Sequence, residues 1–264
     1  MSEDAERKDH TERVKSYAQS YSPWEDIGAD LVGVITAESL DAIPSYWVGW
    51  EINDHTKKTG DYLEGAKSVI VLGYHAWDDV CEMISLKGDR FEAYAYMRME
   101  INARKLVRWL RRRGHAARIA GDLLPKKRMA LLAGFGGYGK NALIINPRYG
   151  PWLRLQAVLT DAELEPDKSY EGDPCGDCEE CVKACPVGAL TPYVVDPGKC
   201  LAGPHDDEWI GLLSGRVGYD ALREGPPGLQ EVFDVHSPTV TRNTRLICMT
   251  CQRACPIGRE ERGL

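Results

Sequence analysis

The pattern of apolar positions divides the chain into a periodic first part and an irregular second part. Residues 91–113 set Ala95, Met99, Ala103, Leu106 and Leu110 at helical spacing, and Gly114 supplies the stop. Two apolar runs lack that period. Ala29–Ile35 and Ser68–Tyr74 (SVIVLGY) read as buried strands, the second through its β-branched residues. A short strand is expected over His115–Ala120 and a helix from Pro125 to Ala133. Ala142–Ile145 and Leu153–Thr160 then read as strands, with a turn over Asn146–Pro151 between them. A polar helix over residues 3–20, closed by Ser22-Pro23, precedes the first strand as a docking or dimerisation element. The strand–helix–strand order predicts an α/β sandwich around a mixed sheet.

Past Glu165 the periodicity fades and the chain becomes rich in Cys, Pro, Gly and Asp. That composition fits a module in which metal bonds replace much of the core. The expected organisation is an N-terminal helical segment (1–24), an α/β domain (25–165) and a metal-binding domain (166–264) interrupted by an insertion at 201–247, α+β in class overall.

Composition adds boundaries rather than chemistry. With 264 residues, 43% hydrophobic and 28% charged, the chain can bury a sizeable core. Its net charge of −7 argues against a nucleic-acid backbone as partner. Basic residues gather at Arg104–Arg118 and Lys126–Arg128, a pattern expected of solvated helix faces. No run approaches the roughly 18 apolar residues that span a bilayer. Met1–Arg13 shows neither an apolar signal core nor a twin-arginine pair, so the expectation is a cytoplasmic protein without a membrane partner.

Nine cysteines change the picture, because eight of them fall between Cys175 and Cys255. The first group is Cys175-x2-Cys178-x2-Cys181-x3-Cys185-Pro186. The second is Cys248-x2-Cys251-x3-Cys255-Pro256, with Cys200 standing apart before it. Cys-x2-Cys-x2-Cys lets one tight loop reach three irons of a cubane, and the x3-Cys-Pro step carries the fourth thiolate to a neighbouring cluster. Zinc knuckles, the competing reading, prefer two separated Cys-x2-Cys pairs. The cross-over assigns Cys175, Cys178, Cys181 and Cys255 to one [4Fe–4S] cluster. Cys185, Cys248, Cys251 and, by elimination, Cys200 hold the other. Cys81, near Met83 and Ile84, reads as a buried thiol. His205-Asp206-Asp207-Glu208, inside the insertion, reads as a solvated acidic loop.

Gly134-Phe135-Gly136-Gly137-Tyr138-Gly139 satisfies G-x-G-x-x-G, and with Lys140-Asn141 it falls one residue short of a phosphate loop. Both phosphate motifs need a strand before and a helix after. Here a helix precedes and a strand follows, and Asn141 replaces the hydroxyl that would hold magnesium. The glycines instead allow close backbone approach to a ligand, or a turn with positive φ, with Lys140 and Asn141 at the rim.

The run from Leu132 to Arg154, with its glycine turn, Lys140, Pro-Arg-Tyr-Gly turn and Arg154, resembles the core signature shared by epoxyqueuosine reductases and reductive dehalogenases. The cysteine module follows at the family's interval and includes Pro192–Cys200. The helix Tyr94–Gly114, ending in Arg-Gly-His-Ala-Ala, is similar to the family's helix before that core. The likeness covers roughly residues 65–264.

The resemblance implies a nitroreductase-like α/β sandwich fused to a ferredoxin-like domain with two [4Fe–4S] clusters, and a base-off cobalamin between them. It makes Tyr94 or Tyr96 a proton donor, with Lys140 and Arg154 as supporting cations. Gly134, Gly136, Gly137, Gly139, Lys140 and Asn141 would border the cofactor. The aspartate acid of epoxyqueuosine reductases falls by counting back at Ala120, so Asp122 could replace it only on a shifted loop. Asp234-x-His236 lacks the glycine of a Asp-x-His-x-x-Gly motif, so a histidine-ligated cobalamin is not expected. The sequence ends at Leu264 without a counterpart of the helical repeats with which epoxyqueuosine reductases engage tRNA.

Three functions follow as expectations. The first is a reductase passing low-potential electrons through two clusters to a corrinoid that reduces a small electrophilic substrate. The second is a corrinoid-free carrier that reduces a partner such as a corrinoid protein. The third is an epoxyqueuosine (tRNA) reductase. Each needs an electron donor, a ferredoxin, a flavodoxin or a reductase.

Overall fold

The computed structural model describes residues 3–20, 28–42, 47–48, 51–52, 57–87, 90–121, 123–196, 199–202 and 229–263. Asp122 and the cluster His205–Glu208 lie outside the described residues.

Eight residues of β4 (Ser68–His75) are buried without exception, which makes this strand the axis of the fold. β1 (Leu31–Thr36) and β10 (Leu153–Thr160) flank it, and β7 (Ala117–Ile119) extends the sheet beyond β10 in the order β1-β4-β10-β7. All three pairings are antiparallel, so the expected mixed sheet is corrected. The strand ends decide this: Ser68 stands opposite both Thr36 and Thr160. Nothing in the hydrophobic pattern of one strand encodes the direction of a partner so distant in sequence.

Alternation along β4 splits the core in two. Ile70 and Leu72 point to the layer formed by α1 (Glu3–Gln19) and α4 (Tyr94–Arg111), through Val14, Met99, Ala103, Leu106 and Leu110. Val69 and Val71 point to the other layer, where α2 (Ala37–Asp41) and α5 (Lys126–Leu132) supply Leu40, Met129 and Ala130. The result is an α/β/α sandwich. Leu106 and Leu110 are each at most 1% exposed, so truncation of either to Ala would cost roughly 2–5 kcal/mol.

Two small hairpins, β2 (Trp47–Val48) with β3 (Glu51–Ile52) and β8 (Gly137–Tyr138) with β9 (Ile144–Ile145), decorate this body, as does the one-turn α3 (Thr59–Tyr62). A second sheet joins distant parts of the chain. β5 (Met83–Lys87) and β6 (Arg90–Ala93) pair with β13 (Thr239–Thr241) and β14 (Thr244–Leu246) in the order β13-β14-β5-β6. The described end of the expected insertion is thus ordered structure, α7 (Leu229–His236) and a hairpin, attached to the first half of the chain.

The cysteine-rich part contributes the hairpin β11 (Leu190–Thr191) and β12 (Val194–Val195) and two short helices, α6 (Glu180–Ala184) and α8 (Thr250–Ala254). It is clamped to the sandwich from several directions. Lys15 Nζ reaches Asp167 Oδ1 at 2.7 Å, while Asp167 Oδ2 accepts from Val34 N at 2.8 Å. Gln252 Nε2 donates to Pro151 O at 3.2 Å, and Arg262 lies 4.0 Å over the Trp152 ring. No helix among the described residues is long and apolar enough to cross a membrane.

Candidate metal centre

α6 and α8 share one local plan. Each starts inside a Cys-x2-Cys step, one residue before its second cysteine (Cys181 or Cys251), and ends on a cysteine that caps the helix in extended conformation. Cys185 has φ −66, ψ 115, and Cys255 has φ −65, ψ 126. A proline follows each, then a glycine with positive φ, Gly188 (59°) and Gly258 (82°). Proline cannot continue the helix and glycine accepts the left-handed turn, so the capping cysteine is projected away from its own loop.

The consequence is that thiols from distant segments meet. Cys175, Cys178, Cys181 and Cys255 line one cavity of about 230 Å³, together with Asn141, Ile145 and the prolines Pro174 and Pro256. The other four form a second group through their mutual electrostatics: Cys200 feels Cys248 and Cys185, and Cys251 feels Cys248, Cys200, Cys185 and, across the gap, Cys181. Burial and crowding of thiols push Cys251 up to about 12, and raise Cys181, Cys200 and Cys255 as well. Such a thiol gives up its proton to a metal rather than to water. All nine cysteines are free, and Cys81 packs against Ala76, Trp152 and Met249.

Hydrogen-bond donors face the sulfurs. Lys140 N donates to Cys175 Sγ at 3.4 Å and Ala189 N to Cys185 Sγ at 3.3 Å. Asn141 is buried at the first cavity. Its Oδ1 accepts from Leu143 N at 3.2 Å, while its Nδ2 is buried without a partner. An orphaned donor beside four thiols fits an inorganic sulfide. Among the described residues no three His, Cys, Asp or Glu side chains converge as a single-ion site would require. His236 Nδ1 shares a hydrogen bond of 2.8 Å with Thr250 Oγ1 at the start of α8.

The glycine turn follows α5 and runs into the β8–β9 hairpin, the reverse of a phosphate-binding context. Its glycines admit the protein's own chain. A Cβ on Gly136 would stand 2.1 Å from Ile145 O, on Gly137 2.8 Å from Pro174 Cδ and on Gly139 2.5 Å from Ile145 Cγ1. Gly134, at φ +76, faces Lys168 O. The turn is folded tightly so that Lys140 and Asn141 can reach the first thiol group.

A much larger cavity, about 1060 Å³, opens between α4, α5, the β8–β9 hairpin and β10. Tyr96 and Arg154 line it; Tyr94 and Lys140 do not. Tyr94, two residues before Tyr96 on the helix, is outside the lining, and both rings are exposed, Tyr94 to 44% and Tyr96 to 55%. Lys140 is buried, with Nζ 3.6 Å from Glu179 Oε1. Arg154 is paired with Glu82, a carboxylate buried to 0% exposure, and burial lowers its guanidinium pKa. The sequence reading missed Lys127, Arg128 and Tyr138, which all line this cavity. Lys127 lies within electrostatic reach of Cys200 and Cys251, two members of the second thiol group. Crowding by protein lowers the Lys127 ammonium pKa, and the two thiols pull it back up.

The fold and site together are an α/β/α sandwich, a thiol-rich module and a large cavity. No protein-family model matches the chain. An epoxyqueuosine reductase of Gloeobacter violaceus is 32% identical over 263 residues, covering 91% of this chain and 76% of the relative. A tetrachloroethene reductive dehalogenase of Desulfitobacterium hafniense is 32% identical over 176 residues, covering 61% of this chain and 32% of its own length. The chain belongs to the family of epoxyqueuosine reductases and reductive dehalogenases. It spans 46% of an epoxyqueuosine reductase from Synechococcus, to which it is 33% identical over 150 residues. In fold it is similar to an epoxyqueuosine reductase solved with a modified tRNA-Tyr stem loop, with a TM-score of 0.67 at 20% identity, covering 96% of this chain and 66% of that one.

Proposed function

We propose that this chain is an oxidoreductase that binds two [4Fe–4S] clusters and passes low-potential electrons to a base-off corrinoid, which reduces a small electrophilic substrate. Cys175, Cys178, Cys181 and Cys255 would hold one cluster, and Cys185, Cys200, Cys248 and Cys251 the other. The observation that supports the reading is a large cavity whose lining includes Lys127, a cation within electrostatic reach of Cys200 and Cys251. A cavity of about 1060 Å³ is at the upper end of ligand pockets, which run to roughly 1,000 Å³, and has room for more than a small substrate. The clusters supply single electrons, and the corrinoid supplies a nucleophilic metal centre.

The chain's own residues shape that chemistry. Leu124, Leu143, Ile144 and Leu153 give the cavity apolar walls that keep water from the reduced centre. Tyr96, on the α4 wall, is the proton donor of this reading, with the Lys126–Arg128 cations opposite to stabilise its phenolate. The lining, from Tyr96 to Gln156, falls within the expected domain 25–165, and the expected domain 166–264 would bring the clusters to it.

A second reading, a carrier that reduces a partner corrinoid protein, is favoured by the cations. Arg154 is engaged by Glu82, and Lys140 stands at the thiols rather than in the cavity. The relatives' names support a third, reduction of epoxyqueuosine in tRNA. Anaerobic reconstitution with added hydroxocobalamin, then iron, sulfide and cobalt analysis, separates the first two. About eight irons with one cobalt per chain support the corrinoid enzyme, and about eight irons without cobalt support the carrier. Turnover of an epoxyqueuosine-bearing stem loop would establish the third.

A further inference from the structure

The large cavity contains two polar side chains that the protein leaves unsatisfied. Arg128, on α5, makes no hydrogen bond or ion pair among the described residues, and its Nε is buried without a partner. Tyr138, on β8, lines the same cavity, and its hydroxyl has no hydrogen-bond partner among the described residues. The two share the lining of one cavity, and the Arg128 charge acts on the Tyr138 phenol. The other cations there are engaged. Lys127 Nζ donates to Ala142 O at 2.8 Å, Lys126 Nζ to Gly121 O at 3.2 Å, and Arg154 to Glu82.

A guanidinium can only donate, and a phenol beside it offers one more donor. Holding a cation partly out of water without a counter-charge is costly, and a fork of such donors matches the two oxygens of a carboxylate or phosphate. We propose that Arg128 and Tyr138 form an oxyanion-binding subsite in the cavity, taking a carboxylate or phosphate group of the bound ligand. This deepens, and rests on, the reading of the cavity as the corrinoid and substrate site. The oxyanion has two sources, the phosphodiester of a corrinoid's nucleotide loop or an acidic group on the substrate.

The test uses the full chain with its clusters reconstituted, as wild type, Arg128→Gln, Arg128→Lys and Tyr138→Phe. Each is titrated with hydroxocobalamin, with cobinamide, which lacks the nucleotide loop, and with inorganic phosphate read by thermal shift. Loss of a charge-assisted contact should weaken the anionic probe about tenfold or more, with partial recovery in Arg128→Lys. Weaker cobalamin binding by Arg128→Gln with unchanged cobinamide supports the subsite and assigns it to the cofactor's phosphodiester. Phosphate stabilising wild type but not the variants, with both corrinoids unaffected, supports it and assigns the substrate's anion. If wild type binds no corrinoid but keeps the phosphate effect, the corrinoid reading fails and the subsite stands. Wild type and all variants behaving alike towards all three probes overturns the subsite, whether or not a corrinoid binds.

Discussion

Gly150 and Gly258 pack backbone against backbone, both with positive φ (57° and 82°). A Cβ on Gly150 would stand 2.0 Å from Ile257 O, and one on Gly258 2.4 Å from Tyr149 C. The contact locks the Pro-Arg-Tyr-Gly turn, at the start of β10, to the segment just after Cys255. Position of the capping thiol and position of the central sheet are thereby one property.

Gly258→Ala is expected to destabilise the chain by at least the roughly 1–2 kcal/mol of left-handed strain, with the clash adding to it. It should also lower iron content after reconstitution, because Cys255 moves with the turn. Chemical unfolding and iron analysis check both. Gly172→Ala, at φ +107 with open space around its Cβ position, should show the strain without the loss of iron.

Arg154 and Glu82 form a buried pair, and removing one member strands the other. Arg154→Met is predicted to cost roughly 3–5 kcal/mol through the uncompensated Glu82 carboxylate. The double variant Arg154→Met/Glu82→Leu should recover much of that loss. A double-mutant cycle by chemical denaturation measures it, and equal losses in single and double variants would contradict it.

His75 is 1% exposed, with neither ring nitrogen partnered among the described residues, and stacks on Tyr149 at 4.5 Å. Burial lowers its pKa from the ordinary 6.5, with Asp30 pulling the other way. The unfolded chain therefore takes up the proton first as pH falls. The contribution is fully present above about pH 6.5 and is lost as pH falls through that value towards the lowered folded pKa. His75→Phe keeps the stacking and should flatten the fall in unfolding midpoint between about pH 7.5 and about pH 5.5. An unchanged pH slope would count against it.

Asn141 lines the first thiol cavity, and its Nδ2 is buried without a partner among the described residues. Asn141→Leu removes that donor at similar volume, so the reduction potential of the bound cluster should fall by on the order of tens of millivolts. Redox titration followed by electron paramagnetic resonance reads the shift. A potential equal to wild type would mean that the amide does not touch the cluster.

Much of this architecture was legible where periodicity is local. Ser68–Tyr74, Leu153–Thr160 and the helix through Met99 and Leu110 stand within a residue or a few of the expected bounds, because burial of one face or of a whole strand writes itself into the sequence. Strand direction and the second sheet were not legible, since β5 finds β14 more than 150 residues away and each is too short to show its partner. Phe91–Ala93, expected at the start of the helix, is strand because it pairs with β5. The cysteine spacing proposes which thiols share a cluster, and Cys175, Cys178, Cys181 and Cys255 line one cavity. The electrostatic reach from Lys127 to Cys200 and Cys251 depends on the tertiary arrangement, and no spacing rule expresses it.

The central claim is that Cys255 leaves its own loop to complete the group of Cys175, Cys178 and Cys181. Electron paramagnetic resonance of reduced, reconstituted Cys255→Ser, with Cys248→Ser alongside, tests it most directly. The account predicts that each variant perturbs a different one of two [4Fe–4S] signals, with the other signal kept. Two unperturbed signals in Cys255→Ser, or the same signal lost in both variants, would contradict it.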